Sequence, residues 1–330
     1  MTGIGHYTPP RVVTNHQLEA AVETSDEWIV TRTGIRERRI ASDDQATSDL
    51  AIEAARAALA DAGLTPDDLD LIIVGTASPD MIFPSTACWV QDRLGARRAG
   101  AFDLMAACSS FVYGLAQANA YVGSGMADRV LVIGAETLSK ITNWKDRSTC
   151  VLFGDGAGAV VVQPCPPGEG FLSFHLGADG SRGDLLNLRG GGSRHPASYE
   201  TIERDMHYIY QNGREVFKFA VRAIPDAIEA VLRQANLTGE AVRWYVPHQA
   251  NIRIIEAAAK RLGEPLEKFI INIDRYGNTS SASVPVALSE AMEAGREQPG
   301  DVLVLVAFGG GLTWASCALR WTKARSAPRP

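Results

Sequence analysis

Apolar positions along the chain follow two alternating patterns. Leu71–Thr76 and Val130–Glu136 are almost continuously apolar, as strands buried on both faces require, and Gly100–Leu104 and Trp244–Val246 read as shorter strands of the same kind. Between them, Ser48–Ala62, Pro84–Leu94 and Ser109–Gly125 carry apolar residues at helical spacing, and Ile252–Leu262 places Ile254, Ile255, Ala258 and Leu262 on one face. Strands alternating with helices predict an α/β architecture.

The second half repeats the first. Leu64 and Leu237 are 173 positions apart, while Val74/Val246, Val130/Val302, Ser109/Ser281 and Gly123/Gly295 are each 172 apart. A nearly constant offset over this many pairs indicates an internal duplication, each half a β-α-β-α-β unit with a buried central helix. We place the halves at residues 1–165 and 166–330, separated by the glycine- and proline-rich stretches Gly154–Gly158 and Pro164–Gly170. The loops before the two central helices then face each other across a pseudo-twofold interface, a common place for ligand sites. Leu188–Glu203, with Gly190-Gly191-Gly192 and His195-Pro196, reads as a long loop.

Composition narrows the function. Of 330 residues 46% are hydrophobic, enough for a large core without disulfides or a structural metal. A net charge of −6 argues against nucleic acid or an anionic membrane as partner, so an anionic partner must be met by a local patch. The uncharged runs Leu104–Ala127 and Val302–Leu319 are long enough to span a bilayer, but the first is rich in Ala, Gly, Ser, Asn and Gln and the second is cut by Gly309-Gly310-Gly311. Both read as elements enclosed by protein. The N-terminus has neither a basic segment nor a long apolar one, so no leader is expected. The five cysteines, Cys88, Cys108, Cys150, Cys165 and Cys317, are widely spaced and odd in number, which points to a reducing, cytoplasmic setting and to no metal site.

Three residues stand at strand-to-helix corners. Cys108 precedes a charge-free helix whose N-terminus favours a thiolate, whereas the other four cysteines read as small apolar residues filling a core. His248 follows the strand Trp244–Val246, and Asn278 occupies the loop before the second central helix, opposite Cys108. A nucleophile with two hydrogen-bonding partners is the reading these types support together. The glycines after Phe308 allow backbone amides to approach a ligand as an oxyanion hole requires, with a hairpin turn as the plainer reading. Phe153–Gly158 looks like a phosphate loop but lacks a following Lys-Ser/Thr and carries Asp155, so it reads as tight packing.

Together these stretches resemble the β-ketoacyl-acyl carrier protein synthase III family, the priming condensing enzymes of the thiolase superfamily. The resemblance covers essentially the whole chain, through Thr24–Arg36, Ala106-Ala107-Cys108, Phe153–Ala157, Gly213 with Glu215–Lys218, His248–Asn251, Tyr276–Ser280 and Phe308–Gly311. It implies a duplicated, thiolase-like five-layered αβαβα fold of two pseudo-symmetric halves, as a homodimer. It also implies that Cys108 is acylated, that His248 and Asn278 serve the decarboxylative step, and that the amides of Cys108 and Gly310 hold the oxyanion. By the same resemblance Trp28 stacks on the adenine of coenzyme A, Arg32 and Arg147 hold its nucleotide end, and Thr24, Phe217 and Asn251 line the pantetheine tunnel. Phe83 borders the acyl pocket of the dimer partner, and Arg253 touches coenzyme A phosphate. Lys218 matches a basic family position near Arg253 and Lys260, which lie seven residues apart on one helix face; these three form the expected patch for an acidic carrier protein.

Two departures from the family pattern bear on specificity. Ser110 stands where the family usually has Gly and is expected to narrow the acyl pocket or to add a hydrogen bond, and Leu188–Glu203 matches none of the family stretches and is the region expected to differ in substrate choice among relatives. The expectation is a cytoplasmic acyltransferase that condenses an acyl-CoA, acetyl-CoA first among them, with malonyl-acyl carrier protein. No metal and no permanently bound cofactor take part; the coenzyme A thioester is a substrate. A related enzyme priming a polyketide or quinolone pathway is the alternative, and a non-catalytic acyl-CoA-binding protein has no use for the nucleophile.

Overall fold

In the computed structural model, residues 1–322 are described; the end of the second half at residue 330 lies outside them. The buried apolar runs form two mixed sheets with one shared plan. In the first, the strand order is Gly3–Tyr7, Gly156–Val162, Val130–Glu136, Leu71–Gly75 and Gly100–Leu104. In the second it is Gly170–Ala178, Thr313–Arg320, Val302–Gly309 and Val242–Pro247, with Phe269 bridged to Tyr245 where a fifth strand would lie. The pairing sense also repeats: antiparallel, antiparallel, parallel from the outer edge inward. The offset of 172 in the sequence is thus the offset between Leu71–Gly75 and Val242–Pro247 and between Val130–Glu136 and Val302–Gly309, while the two outer strand pairs lie at shorter offsets.

Helices complete five layers. The central helices Ser110–Gly123 and Ser283–Glu293 lie between the sheets, and both join one apolar cluster with residues from the two sheets, including Val132, Val160, Leu303 and Leu305. The second central helix is buried almost throughout, but the first is buried only on the face carrying Phe111, Val112, Leu115 and Ala118: Gln117, Asn119, Ala120 and Gly123 are exposed, so its charge-free run is not enclosed by protein on all sides as expected. No helix among the described residues is long and apolar enough to cross a membrane. Thr47–Ala62 and Thr86–Leu94 cover the outer face of the first sheet, and Gly213–Gln234 and Ile252–Leu262 cover that of the second.

Two expectations change. The helix assigned from Pro84 begins at Thr86, because the Asp103 carboxylate accepts the Thr86 and Ala87 amides (2.7 and 2.8 Å) and so caps the helix there. Leu188–Glu203 is not a featureless loop. Leu186–Leu188 pairs with Ile209–Gln211, and Tyr199–Glu203 is a short helix capped by the Ser198 hydroxyl, which accepts from Thr201 N.

Candidate active site

Cys108 and the Ser280–Ala282 segment occupy matching corners. Each central helix begins with a tight 3₁₀ turn, Ala107–Ser109 in one half and Ser280–Ala282 in the other, and each turn has a left-handed residue, Ala107 (φ 48°) and Ser280 (φ 47°). Neither is glycine, so the backbone is strained at both corners. The turns meet across the pseudo-twofold axis and open into one cavity of about 1510 Å³ lined by Cys108, His248, Asn278, Ser280, Gly309 and Gly310, among others.

Hydrogen bonds set which atoms face that cavity. The Asn278 carboxamide oxygen accepts the Ser280 N–H (2.9 Å), leaving its NH₂ to donate. Asn278 is itself clamped by backbone, donating to Leu152 O (2.9 Å) and accepting from Gly154 N–H (3.0 Å). The Phe153–Gly158 stretch is therefore structural, as read, and its structural task is to hold Asn278. His248 turns Nδ1 toward the Ser283 hydroxyl (2.6 Å) and packs edge-on against Phe308 (5.4 Å between centroids). Complete burial pushes its imidazole down to about 3, so the ring is neutral at ordinary pH.

Burial also pushes the Cys108 thiol up to about 12, although a hydrogen bond to Ser280 opposes this. The resting group is a thiol, a correction to the thiolate expected from helix position alone: desolvation outweighs the short turn that precedes the helix. Gly309 approaches Cys108 so closely that a Cβ there would lie 2.6 Å from the Cys108 amide nitrogen. Phe308–Gly311 takes the plainer reading, the turn between two antiparallel strands, and its Gly309 packs against the nucleophile's corner.

The outer end of the cavity gathers most of the remaining candidates. Trp28 and Arg32 lie on the helix Asp26–Thr33, and Phe217, Lys218, Asn251 and Arg253 line the same cavity. The Arg32 and Arg147 guanidinium groups stand 4.9 and 5.0 Å from the Trp28 ring centroid, and Arg253 stands 5.7 Å from that of Phe217. Asn251 caps the helix Ile252–Leu262 and donates to Arg32 O (2.8 Å), locking the two helices together. Lys218 is ion-paired with Glu215 (2.7 Å), while Lys260 is exposed farther along its helix.

Four candidates are placed otherwise, and Cys88 and Cys165 are exposed where core fillers were expected. Ser110 is fully buried, and its hydroxyl accepts the Ala106 N–H (2.8 Å) and does not line the cavity, so of the two expectations it adds a hydrogen bond and does not narrow the acyl pocket. Thr24 and Arg147 are outside the cavity lining, Arg147 donating to Glu23 O (2.8 Å). Phe83 is 82% exposed, with Ile82, 77% exposed, reaching the cavity mouth beside it. The sequence reading missed Ser280, Ser283 and Gly309 as individuals, since serines and glycines in a loop carry no signal of their own until their neighbours are known.

Comparison with known proteins gives a consistent picture. The family 3-oxoacyl-[acyl-carrier-protein (ACP)] synthase III matches residues 102–180, and 3-oxoacyl-[acyl-carrier-protein (ACP)] synthase III C terminal matches residues 232–321. The chain is similar to the β-ketoacyl-[acyl-carrier-protein] synthase III of Caldanaerobacter subterraneus, with 58% identity over 97% of each chain. Among solved structures it is similar to the β-ketoacyl-[acyl carrier protein] synthase III of Thermus thermophilus, with 50% identity, TM-score 0.90, and 98% and 99% of the two chains covered. The priming β-ketosynthase of the R1128 polyketide pathway superposes equally well (TM-score 0.90, 98% and 96% covered) at 36% identity.

Proposed function

The chain belongs to the 3-oxoacyl-[acyl-carrier-protein] synthase III family of acyl-transferring condensing enzymes, and on that premise we propose how its own residues divide the reaction between them. In the first half-reaction the Cys108 sulfur attacks the thioester carbonyl of an acyl-CoA; the acyl group moves to sulfur, and the thiol proton leaves with coenzyme A as its free thiol. In the second, malonyl-acyl carrier protein loses carbon dioxide, the resulting enolate carbon attacks the acyl-Cys108 carbonyl, and sulfur is released. His248 Nε2 and the Asn278 NH₂ donate to the thioester oxygen on which enolate charge develops. The amides of Cys108 and Gly310 serve the oxyanion of the acyl group.

The observation that carries this division is the pair of fixed donors. Ser283 occupies Nδ1 of His248, and Ser280 N–H occupies Oδ1 of Asn278, so both side chains present N–H groups to the cavity that holds Cys108. A hydrolase would instead need a carboxylate-oriented histidine acting as base, and Nδ1 meets a hydroxyl here. Trp28, Arg32 and Arg147 form the nucleotide end of the site, where an adenine stacking on Trp28 displaces one of the two guanidinium groups now over the ring. Thr24, Phe217, Asn251 and Arg253 are assigned to the pantetheine passage, and Lys218, Arg253 and Lys260 to the carrier protein.

Exposed Ile82 and Phe83 support a homodimer in which a second copy receives Phe83 at its acyl pocket, which keeps the primer short, with acetyl favoured. Five free cysteines support a cytoplasmic setting. The polyketide alternative is not favoured: the fatty-acid enzymes match the chain at higher identity than the polyketide ketosynthase does. Mass spectrometry after exposure to a panel of acyl-CoAs tests the reading. Acetyl on the Cys108 peptide alone is expected, and His248→Ala and Asn278→Ala are expected to accept the acetyl group yet fail to decarboxylate malonyl-acyl carrier protein. Label on another cysteine with Cys108 bare, or self-acylation lost in both variants, overturns it.

A further inference from the structure

Glu136 ends the strand Val130–Glu136 and is fully buried beneath the two corners. By the offset of 172, Thr76 and Glu136 are the first-half counterparts of His248 and Phe308. They adjoin the Ser280–Ala282 turn, while Phe308 adjoins the Cys108 turn. The molecule thus contains a second, closed version of its own site, with a carboxyl group at its centre.

Hydrogen-bond accounting bears on the state of that carboxyl. Oε2 accepts from Thr76 Oγ1 (3.2 Å), Ser78 N–H (3.1 Å) and Ser78 Oγ (2.6 Å); the Ala77 N–H is shared between Oε2 and Oε1 (3.1 Å each), and Ser281 N–H lies 3.4 Å from Oε1. The Ser78 hydroxyl in turn accepts from Thr137 N–H (2.9 Å), which leaves its own proton for Oε2. Ser281 Oγ lies 2.8 Å from Glu136 Oε1 and also 2.8 Å from the Gly75 carbonyl oxygen. A hydroxyl has one proton and cannot donate to both, and two bare acceptors at that distance repel. Both contacts of the Ser281 hydroxyl are satisfied when Oε1 carries a proton and donates it to Ser281, whose own proton goes to Gly75 O.

We infer that Glu136 is held as a neutral carboxylic acid and acts as a positioning residue, pinning the Ser280–Ala282 turn, and with it Asn278 and Ser283 on either side, without placing charge beside Cys108. No cation is paired with it among the described residues, and burial pushes its carboxyl above the usual carboxylate range. The titratable group that faces it is Cys108, and the Ser280 hydroxyl is hydrogen-bonded to both; the groups from Thr76–Ser78 and Ser281 are uncharged. An ionised Glu136 at this position opposes a thiolate on Cys108. The catalytic consequence rests on the functional reading above; the protonation state does not.

Glu136→Gln tests both parts, because an amide N–H replaces the acid O–H toward Ser281. An acid whose folded pKa is raised releases its proton on unfolding, so the wild type loses stability relative to the Gln variant as pH rises above the ordinary carboxylate value. The Tm of Glu136→Gln relative to wild type is expected to rise by about 2–4 °C between pH 5 and pH 8. Infrared spectra of the unaltered protein at the higher pH are expected to retain a protonated-carboxyl band. Ser281→Ala, which removes the acceptor, is expected to lower the condensation kcat about tenfold while the rate of Cys108 acylation holds. A Tm difference that is flat or falls with pH, or an infrared spectrum without that band, overturns the neutral acid; equal loss of acylation and condensation in Ser281→Ala overturns its positioning role.

Discussion

His248 Nδ1 and the Ser283 hydroxyl stand 2.6 Å apart, and Ser283 Oγ also accepts the Gln249 N–H (3.3 Å). In the division of roles proposed above, the Ser283 proton goes to Nδ1 and the ring proton resides on Nε2. The donor needed for an enolate oxygen is thereby present without any charge on the ring.

Removing that hydroxyl frees the tautomer. Ser283→Ala is expected to lower the kcat of condensation by about tenfold, with the KM for malonyl-acyl carrier protein and the rate of Cys108 acylation little changed. Single-turnover acylation and steady-state condensation, measured side by side, check this; an equal loss in both places Ser283 in the first half-reaction instead.

A neutral, buried imidazole also leaves a mark on stability. The folded-state value of about 3 lies below the ordinary 6.5, so on acidification the unfolded chain takes up this proton first. The stabilisation is complete above about pH 6.5 and is lost progressively as pH falls toward 3. His248→Gln should therefore lose less stability than the wild type between pH 7 and pH 4.5 in urea unfolding, and a steeper loss in the variant contradicts the assignment.

Gly309 allows the nucleophile to sit where it does. A Cβ at this position meets Cys108 N at 2.6 Å and Cys108 Cβ at 3.2 Å, contacts that only a shift of the corner relieves. Gly309→Ala is expected to slow Cys108 acylation by about a hundredfold while thermal unfolding remains cooperative. Near-normal acylation in this variant shows that the corner tolerates movement and that its geometry is not decisive.

The proposed docking of the carrier protein on a basic face is open to charge reversal. Arg253 and Lys260 are both exposed on the helix Ile252–Leu262, and Arg253 reaches the cavity. Reversing both charges should raise the KM for malonyl-acyl carrier protein about tenfold, more at low salt, with acylation by acetyl-CoA changed much less. An unchanged KM removes this face from the docking surface. Lys218, already paired with Glu215, is expected to contribute less than either.

Several features were legible in the sequence because they depend on local pattern or on repetition. The offset of 172 shows directly as matching inner strands, while the charge-free run of the first central helix suggested enclosure on every side and is buried on one face only. Cys108, His248 and Asn278 were recognisable because each stands at a strand-to-helix corner, and duplication brings such corners together. The directions of side chains were not legible. Ser110 could be read as narrowing the pocket or as adding a hydrogen bond, and only the fold shows the second, its hydroxyl turned back to its own helix start. The Cys108 thiol gained a thiolate from helix position on paper and lost it to burial, which depends on residues from the other half of the chain. Ser283 and Glu136 gave no signal at all, since a serine or a glutamate acquires its role from the donors and acceptors that surround it. Hydrophobic period and repeat offset are properties of the chain, whereas desolvation and hydrogen-bond accounting arise only between segments far apart in it, and at this site those two effects decide where the protons reside.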